Sequence, residues 1–436
     1  MIIAIYLSLV LQAPPDTVAL SLDAAIARAL AENPTLRGER AEALAAGQLP
    51  LAASRAFLPT VQAEVTGVRT TDPVAVFGMK LRQGVFAADD LALDALNAPA
   101  SFGGFSSGVR AELPLLALEG LFGYAAARRA ADARAAGAGR AAGAMVVGVT
   151  QAYWGAQLAE RRLEALDTAL GAARAHERQA EALRGQGLVT GLDARLARLQ
   201  AAEVEVRRLA AAAEADNVRE RLLALLAWPD STAIQWTDTL GADRAGRCGD
   251  LEECAADDRG DLRALRAGAG AAGLAVKAAC AAQLPQVAAF GPVSHHAGDG
   301  PWGSGSGDWT VGLGVRWAVF PALSGVGAVR KARAEAAAAD ARLEAARRQA
   351  DLEVAAARRM AEAASAGLVV AAAAEEEAGA ALEQARLRYR TGAAPITELL
   401  DVQAAATQAT LNHLSARHDL LLARALLDFA YGIYDQ

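Results

Sequence analysis

The sequence is poor in the residues that organise enzyme sites and compact cores. Its 436 residues include three cysteines, five histidines and 5% aromatics. The histidines are too scattered to suggest a catalytic triad, and the glycine-rich stretches lack the lysine of a phosphate-binding loop, so no catalytic constellation emerges and no cofactor is implied. Cys248, Cys254 and Cys280 show neither CxxC spacing nor a nearby histidine, which argues against a metal site. In an exported protein Cys248 and Cys254 could close a small disulfide, leaving Cys280 as a small buried residue. No block of basic residues is present. Both signs are interspersed under a net charge of −7, which argues against nucleic acid as a partner.

The apolar run from Ile2 to Leu11 is too short to span a bilayer as a helix, yet it suits the core of a secretory signal peptide over 1–13. No Lys or Arg follows Met1, and Leu11 stands where a small residue is usual, so a buried N-terminal strand is the competing reading. No cysteine near Ala13 indicates a lipid anchor.

What the sequence has in abundance is alanine, with arginine and glutamate at helical spacing. That composition favours long, closely packed helices over several globular cores. The chain is also internally repeated. "LRGERAEALAAGQLPLAASRAFLPTV" from Leu36 matches "LRALRAGAGAAGLAVKAACAAQLPQV" from Leu262 without a gap. The order of elements is then doubled: helix, Leu-Pro, strand, loop, strand, long helix, glycine turn, long helix. The first repeat, 21–227, is expected to place a helix at 34–57, strands at 59–70 and 106–116, and a helical hairpin over 119–227. The second, 259–436, places a helix at 260–283, strands at 285–294 and 308–320, and a hairpin over 324–431. Residues 228–258 lack helical periodicity and read as a linker packed on the outside. A helix of about 65 residues is roughly 100 Å long and must lie along other helices.

The strands set the environment. In "DWTVGLGVRWAVF" the residues Trp309, Val311, Leu313, Val315, Trp317 and Val319 share one face, opposite Thr310, Gly312, Gly314 and Arg316. A soluble strand of this kind needs a core on its apolar side, which the composition does not supply. Trp309 and Trp317 lie about 26 Å apart along a strand, close to the lipid-facing height of a membrane barrel with aromatic girdles. Four such strands cannot close a barrel alone, so three copies giving about twelve strands are expected.

In this order the residues resemble the TolC-type outer-membrane efflux proteins. The resemblance rests on "LSLDAAIARALAENPTLRGERAEA", on "LRGQGLVTGLDARLARLQ" and on "RYRTGAAPITELLDVQ". It implies a mixed α and β membrane protein: long antiparallel α-helical hairpins forming an α-barrel, with four transmembrane β-strands per chain completing a 12-stranded β-barrel in a homotrimer. It further implies residence in the outer membrane with a helical tunnel in the periplasm, a periplasmic adaptor protein and an inner-membrane pump or ABC transporter as partners, and no enzymatic activity. Glu398 and Asp401 fall where the family rings its entrance with carboxylates; ordinary first-turn acids are the alternative. Tyr389 and Asp193 match positions that latch the hairpins shut, and Gly187 and Gly392 match the two turns. The family's neighbouring arginine and its hydroxyl partner are replaced by Ala394 and Leu192. His295 and His296 read as part of a solvated glycine-rich loop. The competing class is a soluble or peripheral coiled-coil scaffold.

Overall fold

The strong helix formers assemble as their propensities direct. The computed structural model describes residues 17–240, 258–320 and 323–435; the signal peptide at 1–13 and the Cys248–Cys254 pairing lie outside the described residues. In chain order the elements are β1 (Thr17–Leu20), α1 (Leu22–Glu32), α2 (Pro34–Gly47), α3 (Leu49–Ala53), a short 3-10 turn (Ser54–Ala56), β2 (Thr60–Thr70), α4 (Pro73–Gln83), a second 3-10 turn (Ala88–Leu91), α5 (Leu93–Asn97), β3 (Phe102–Leu116), α6 (Leu118–Gly185), α7 (Gly191–Leu225), β4 (Ala233–Trp236), α8 (Gly260–Ala281), β5 (Gln286–Ala297), β6 (Gly305–Trp309), β7 (Gly312–Arg316), α9 (Ser324–Arg390) and α10 (Ile396–Ala430). The long helices come in matched pairs, 68 and 35 residues in α6 and α7, 67 and 35 in α9 and α10. Among the described residues no helix is long and apolar enough to cross a membrane.

The chain divides into two compact units, residues 1–43, 135–264 and 344–436 in one, and 44–134 and 265–343 in the other. The first is helical with one small sheet. Its core centres on Tyr153, fully buried, with Trp154 and Trp236 edge-on at 5.0 and 5.1 Å. The Tyr153 hydroxyl lies 3.0 Å from the Leu20 carbonyl and 3.3 Å from Asp238, whose carboxylate also accepts from the Leu22 amide at 2.7 Å. Burial, with the Asp238 charge beside it, pushes the phenol far above its ordinary value. β4 pairs in parallel with β1 in this core, so the segment read as an outside linker contributes a strand and a core tryptophan. Four-residue strands carry too little periodicity to be seen in sequence. Buried Asn33 caps α2 by accepting from Thr35 at 2.9 Å and donates to the Leu225 carbonyl at 3.0 Å.

A charge cluster joins the ends of this unit. Arg259 and Asp435 are 3% and 2% exposed. Asp435 accepts from the Gly260 amide at 2.7 Å and pairs with Arg140 at 3.2 Å. Arg259 pairs with Asp261 and Glu353, each at 2.7 Å. Arg140 stacks 3.5 Å from the Phe429 ring centroid and donates to the Phe429 carbonyl at 2.8 Å.

The second unit is built on an antiparallel sheet in the order β2-β3-β5-β6, with β7 also on β5. The expected strand at 308–320 is two segments. Thr310 donates to the Pro292 carbonyl at 3.0 Å, but Pro292 has no N–H to return, and the ladder lapses at Thr310 and Val311 before resuming in the same register. The expected helix at 34–57 is also broken, into α2, α3 and a 3-10 turn. Pro50 removes a helical donor there; Val276 stands at the matching place of the repeat, and α8 runs on unbroken. The long first loop contains α4 and α5. His295 and His296 lie in β5 rather than in a loop, His295 Nε2 against the Gly303 carbonyl at 3.0 Å and His296 Nε2 against Asp308 at 3.1 Å. Cys280 is exposed, not buried, because it sits on the solvent side of α8's last turn, one residue before buried Ala281.

Candidate functional site

The two hairpin turns use the same backbone device. In the first, the Gly187 amide donates to the Arg184 carbonyl at 3.0 Å and the Leu188 amide to the Leu183 carbonyl at 3.0 Å. In the second, Gly392 donates to Tyr389 at 3.1 Å and Ala393 to Arg388 at 2.8 Å. This is a Schellman ending, which needs a left-handed residue. Gly187 and Gly392 supply it, with φ of +75° and +72°.

After the turns the two hairpins diverge. Thr190 caps α7 and Asp193 closes a capping box, accepting from the Thr190 amide at 2.8 Å and from its hydroxyl at 2.7 Å. The corresponding cap of α10 is Pro395, which has no hydroxyl to offer. Glu398 instead forms an ion pair with Arg388, Nη1 to Oε1, at 2.6 Å. Asp401, one turn further on, is exposed. The two acids therefore share a helix face as their spacing requires, while Arg388 offsets one of them. Arg388 lies inside the turn sequence, but a contact across ten residues of turn carries no periodic signal, so sequence reasoning assigned it no role.

Below the turns Ile396 and Leu400 of α10 pack on Ala180 of α6 and on Ala194 and Ala197 of α7, and Leu399 packs on Leu382 and Ala385 of α9. Tyr389 touches both clusters. Its hydroxyl is buried without a hydrogen-bond partner among the described residues. Burial, then the Asp193 charge, raise its pKa. Tyr389 and Asp193 are thus brought near one another, but the hydrogen-bonded latch does not form within the chain, because the Thr190 cap engages Asp193. Of the two positions departing from the family pattern, Ala394 is buried at 8% exposure and Leu192 is 64% exposed.

In the sheet unit the cross-strand register sorts the side chains by face. Ala63, Val109, Val293 and Trp309 form one row, and Leu113, Ala289 and Leu313 another. On the opposite face Gln62 lies beside Arg110, and Glu64, Ser294 and Asp308 share a row. Among the described residues the apolar face has no cover: Leu313 is 72% exposed, Trp309 74% and Trp317 57%, the last donating its indole N–H to the Gln283 carbonyl at 3.0 Å. Gly104 to Gly108 has the Gly-x-Ser-x-Gly spacing of a nucleophile elbow, but Ser106 sits within β3, paired to β2 and β5, not at a strand-to-helix turn. Among the described residues no group of histidine, cysteine and carboxylate side chains is placed to hold a metal.

Doubled helical hairpins and an antiparallel sheet with one apolar exposed face define the fold, and known proteins share it. Residues 253–432 match the outer membrane efflux protein family. The outer-membrane channel OprN is similar over 95% of this chain and 91% of its own, at 22% identity and a TM-score of 0.79. The outer membrane protein VceC of Vibrio cholerae is similar over 94% of this chain and 96% of its own, at 19% identity and a TM-score of 0.80. The outer membrane channel MtrE of Neisseria gonorrhoeae, in its open state, is similar over 94% and 88%, at 21% identity and a TM-score of 0.75. At these identities the likeness is one of fold. No curated protein matches the sequence. The resemblance to the TolC-type outer-membrane efflux proteins therefore holds in fold over nearly the whole chain and in family sequence over its second part.

Proposed function

We propose that the whole chain is a member of that family and serves as the exit duct of a tripartite efflux or type I secretion system, conducting solutes from the periplasm to the outside and catalysing nothing. The observation that carries this reading is the sheet of the second unit. It is apolar and exposed on one face, polar on the other, and unpaired at β2 and at β6 and β7 among the described residues. Such a face has a natural solvent in lipid, and lipid does not tolerate open edges. Three copies bring roughly twelve strands, enough to close a ring around a water-filled lumen. Trp309 and Trp317 then mark the two rims of the outer membrane, and the hairpins reach into the periplasm, where Gly187, Gly392 and the residues around them meet an adaptor protein linked to an inner-membrane pump or ABC transporter. Glu398 and Asp401 ring the entrance, favouring cations. Tyr389 works there as a wedge between two apolar clusters, and Asp193 holds the Thr190 cap of α7.

Planar-bilayer conductance of the detergent-extracted protein tests the reading. Long-lived pores of trimer size are expected, with a cation preference that falls in Glu398→Ala/Asp401→Ala. A protein that is soluble without detergent and never inserts would leave the coiled-coil scaffold in its place.

A further inference from the structure

One layer of the helical hairpins differs chemically from its neighbours. Nearest the turns lies the apolar cluster around Ala180, Ala197 and Leu400. One helical turn before Ala180 stands His176, whose Nε2 is shut off from solvent and has no hydrogen-bond partner among the described residues. Gln403 from α10, 8% exposed, and Arg386 from α9 complete the layer, Arg386 Nη2 donating to Gln403 Oε1 at 3.2 Å. The other branch of the guanidinium pairs at 2.7 Å with Glu383, whose side chain is 69% exposed. From α7, Arg198 pairs with Glu177 at 3.4 Å and Glu205 with Arg174 at 3.0 Å, so the charges flanking His176 on its own helix are already matched. Arg386 is left as the charge acting on the ring. Burial, then that guanidinium, hold the imidazole below its ordinary value, and Gln403 offsets this only in part.

We propose that His176 is an acid-sensitive release for the hairpin tips: neutral, it fits the layer; protonated, it sets a second cation beside Arg386, and the layer opens. The idea rests on the duct reading, since only there does loosening the tips open a passage. A loosened layer takes up a proton from the ordinary histidine value of about 6.5 downward, whereas the packed layer resists it. The packed layer's advantage is therefore complete above that pH and shrinks as pH falls below it, by about tenfold in the closed-to-open ratio per unit of pKa difference. The other two histidines of these helices, His413 and His418, each with a side chain 14% exposed, are set oppositely, and His418 lies 3.0 Å from the Asp419 carboxylate. His413 faces the Glu375 carboxylate, so protonation there adds an attraction, and acid loosens the His176 layer without loosening the helices at large.

The test pairs two measurements on the full-length protein in detergent and in bilayers. Hydrogen–deuterium exchange over 176–200 and 386–403, corrected for intrinsic rates, is expected to accelerate between pH 7.5 and 5.5, by at most about tenfold, and bilayer open probability is expected to rise over the same range. Both responses disappear in His176→Gln, which carries no titrating group. Pores whose acid response survives in His176→Gln overturn the switch and leave the duct standing. Acid-dependent exchange that is lost in His176→Gln, in a protein that forms no pores, overturns the duct and keeps the His176 release as a property of the helices.

Discussion

Asp193 and Glu398 are each the third residue of a helix that begins after a Schellman turn, α7 and α10, yet they do different work. Asp193 is bound to its own cap, Thr190, while Glu398 faces Pro395 and reaches Arg388 instead. One missing hydroxyl, threonine to proline, turns a structural carboxylate into one available at the candidate entrance. The four-helix tip is therefore not symmetric, although the repeats that form it are.

That asymmetry separates two variants. Asp193→Ala removes a capping box and is expected to cost about 1 kcal/mol of stability, seen as a lower thermal midpoint in detergent. Tyr389→Phe removes no hydrogen bond that the described residues make, and is expected to leave both the midpoint and the closed-state leak conductance unchanged. A leak that rises in Tyr389→Phe would mean that the hydroxyl latches the tip after all, through a neighbouring copy.

Arg388→Ala is expected to act on selectivity, not on stability. The pair with Glu398 is half exposed, 55% for the arginine and 33% for the glutamate, and pairs of that kind contribute about 1 kcal/mol or less. Removing the guanidinium unmasks the carboxylate, so cation preference in a salt-gradient bilayer measurement should increase, whereas Glu398→Ala should decrease it. Equal selectivity in the two variants would place Glu398 away from the conducting path.

Much of this molecule was legible in its sequence because its signals are long. Helices of 67 and 68 residues and a six-residue apolar alternation leave periodicity that chance does not imitate. The breaks were not legible for the opposite reason. The lapse at Thr310 and Val311 originates in Pro292, on another strand, and becomes visible only when register places the two opposite one another. β1 and β4 pair across more than two hundred residues with four residues each. At the tip, residue types were readable but partners were not: whether Asp193 bonds Tyr389 or Thr190 depends on rotamers, and Arg388 gave no pattern at all.

The two faces of the sheet should respond oppositely to the same side chain. Leu313 lies midway between Trp309 and Trp317 on the apolar face, and Gln62 lies on the polar face beside Arg110. A lysine facing lipid at mid-height costs about 2–4 kcal/mol, so Leu313→Lys should fold into membranes poorly and lower the urea midpoint in lipid vesicles. Gln62→Lys should insert like the wild type. Equal tolerance of the two lysines is the outcome that the barrel assignment cannot accommodate.

The charge cluster at Arg259 and Asp435 makes a last, pH-dependent claim. Asp435→Ala leaves Arg140 without its buried partner and the Gly260 amide without an acceptor; loss of one member of such a pair costs about 3–5 kcal/mol. Asp261 and Glu353 add the acid dependence. Burial alone would raise both carboxyls, but the hydrogen bonds and charge of Arg259 outweigh it and hold both below the ordinary carboxylate range. Carboxylates whose folded pKa is depressed contribute stability that is complete above the unfolded value, about 4, and that is lost as pH falls through the lower folded values. The thermal midpoint in detergent should therefore drop on acidification below roughly pH 4, and the drop should be shallower in Arg259→Met, where Glu353 has no guanidinium to lose and Asp261 keeps only Arg140, at 3.9 Å. Because every other surface carboxylate titrates alike in both proteins, the difference between the two slopes isolates the cluster. Identical slopes would mean that Arg259 contributes packing and not charge.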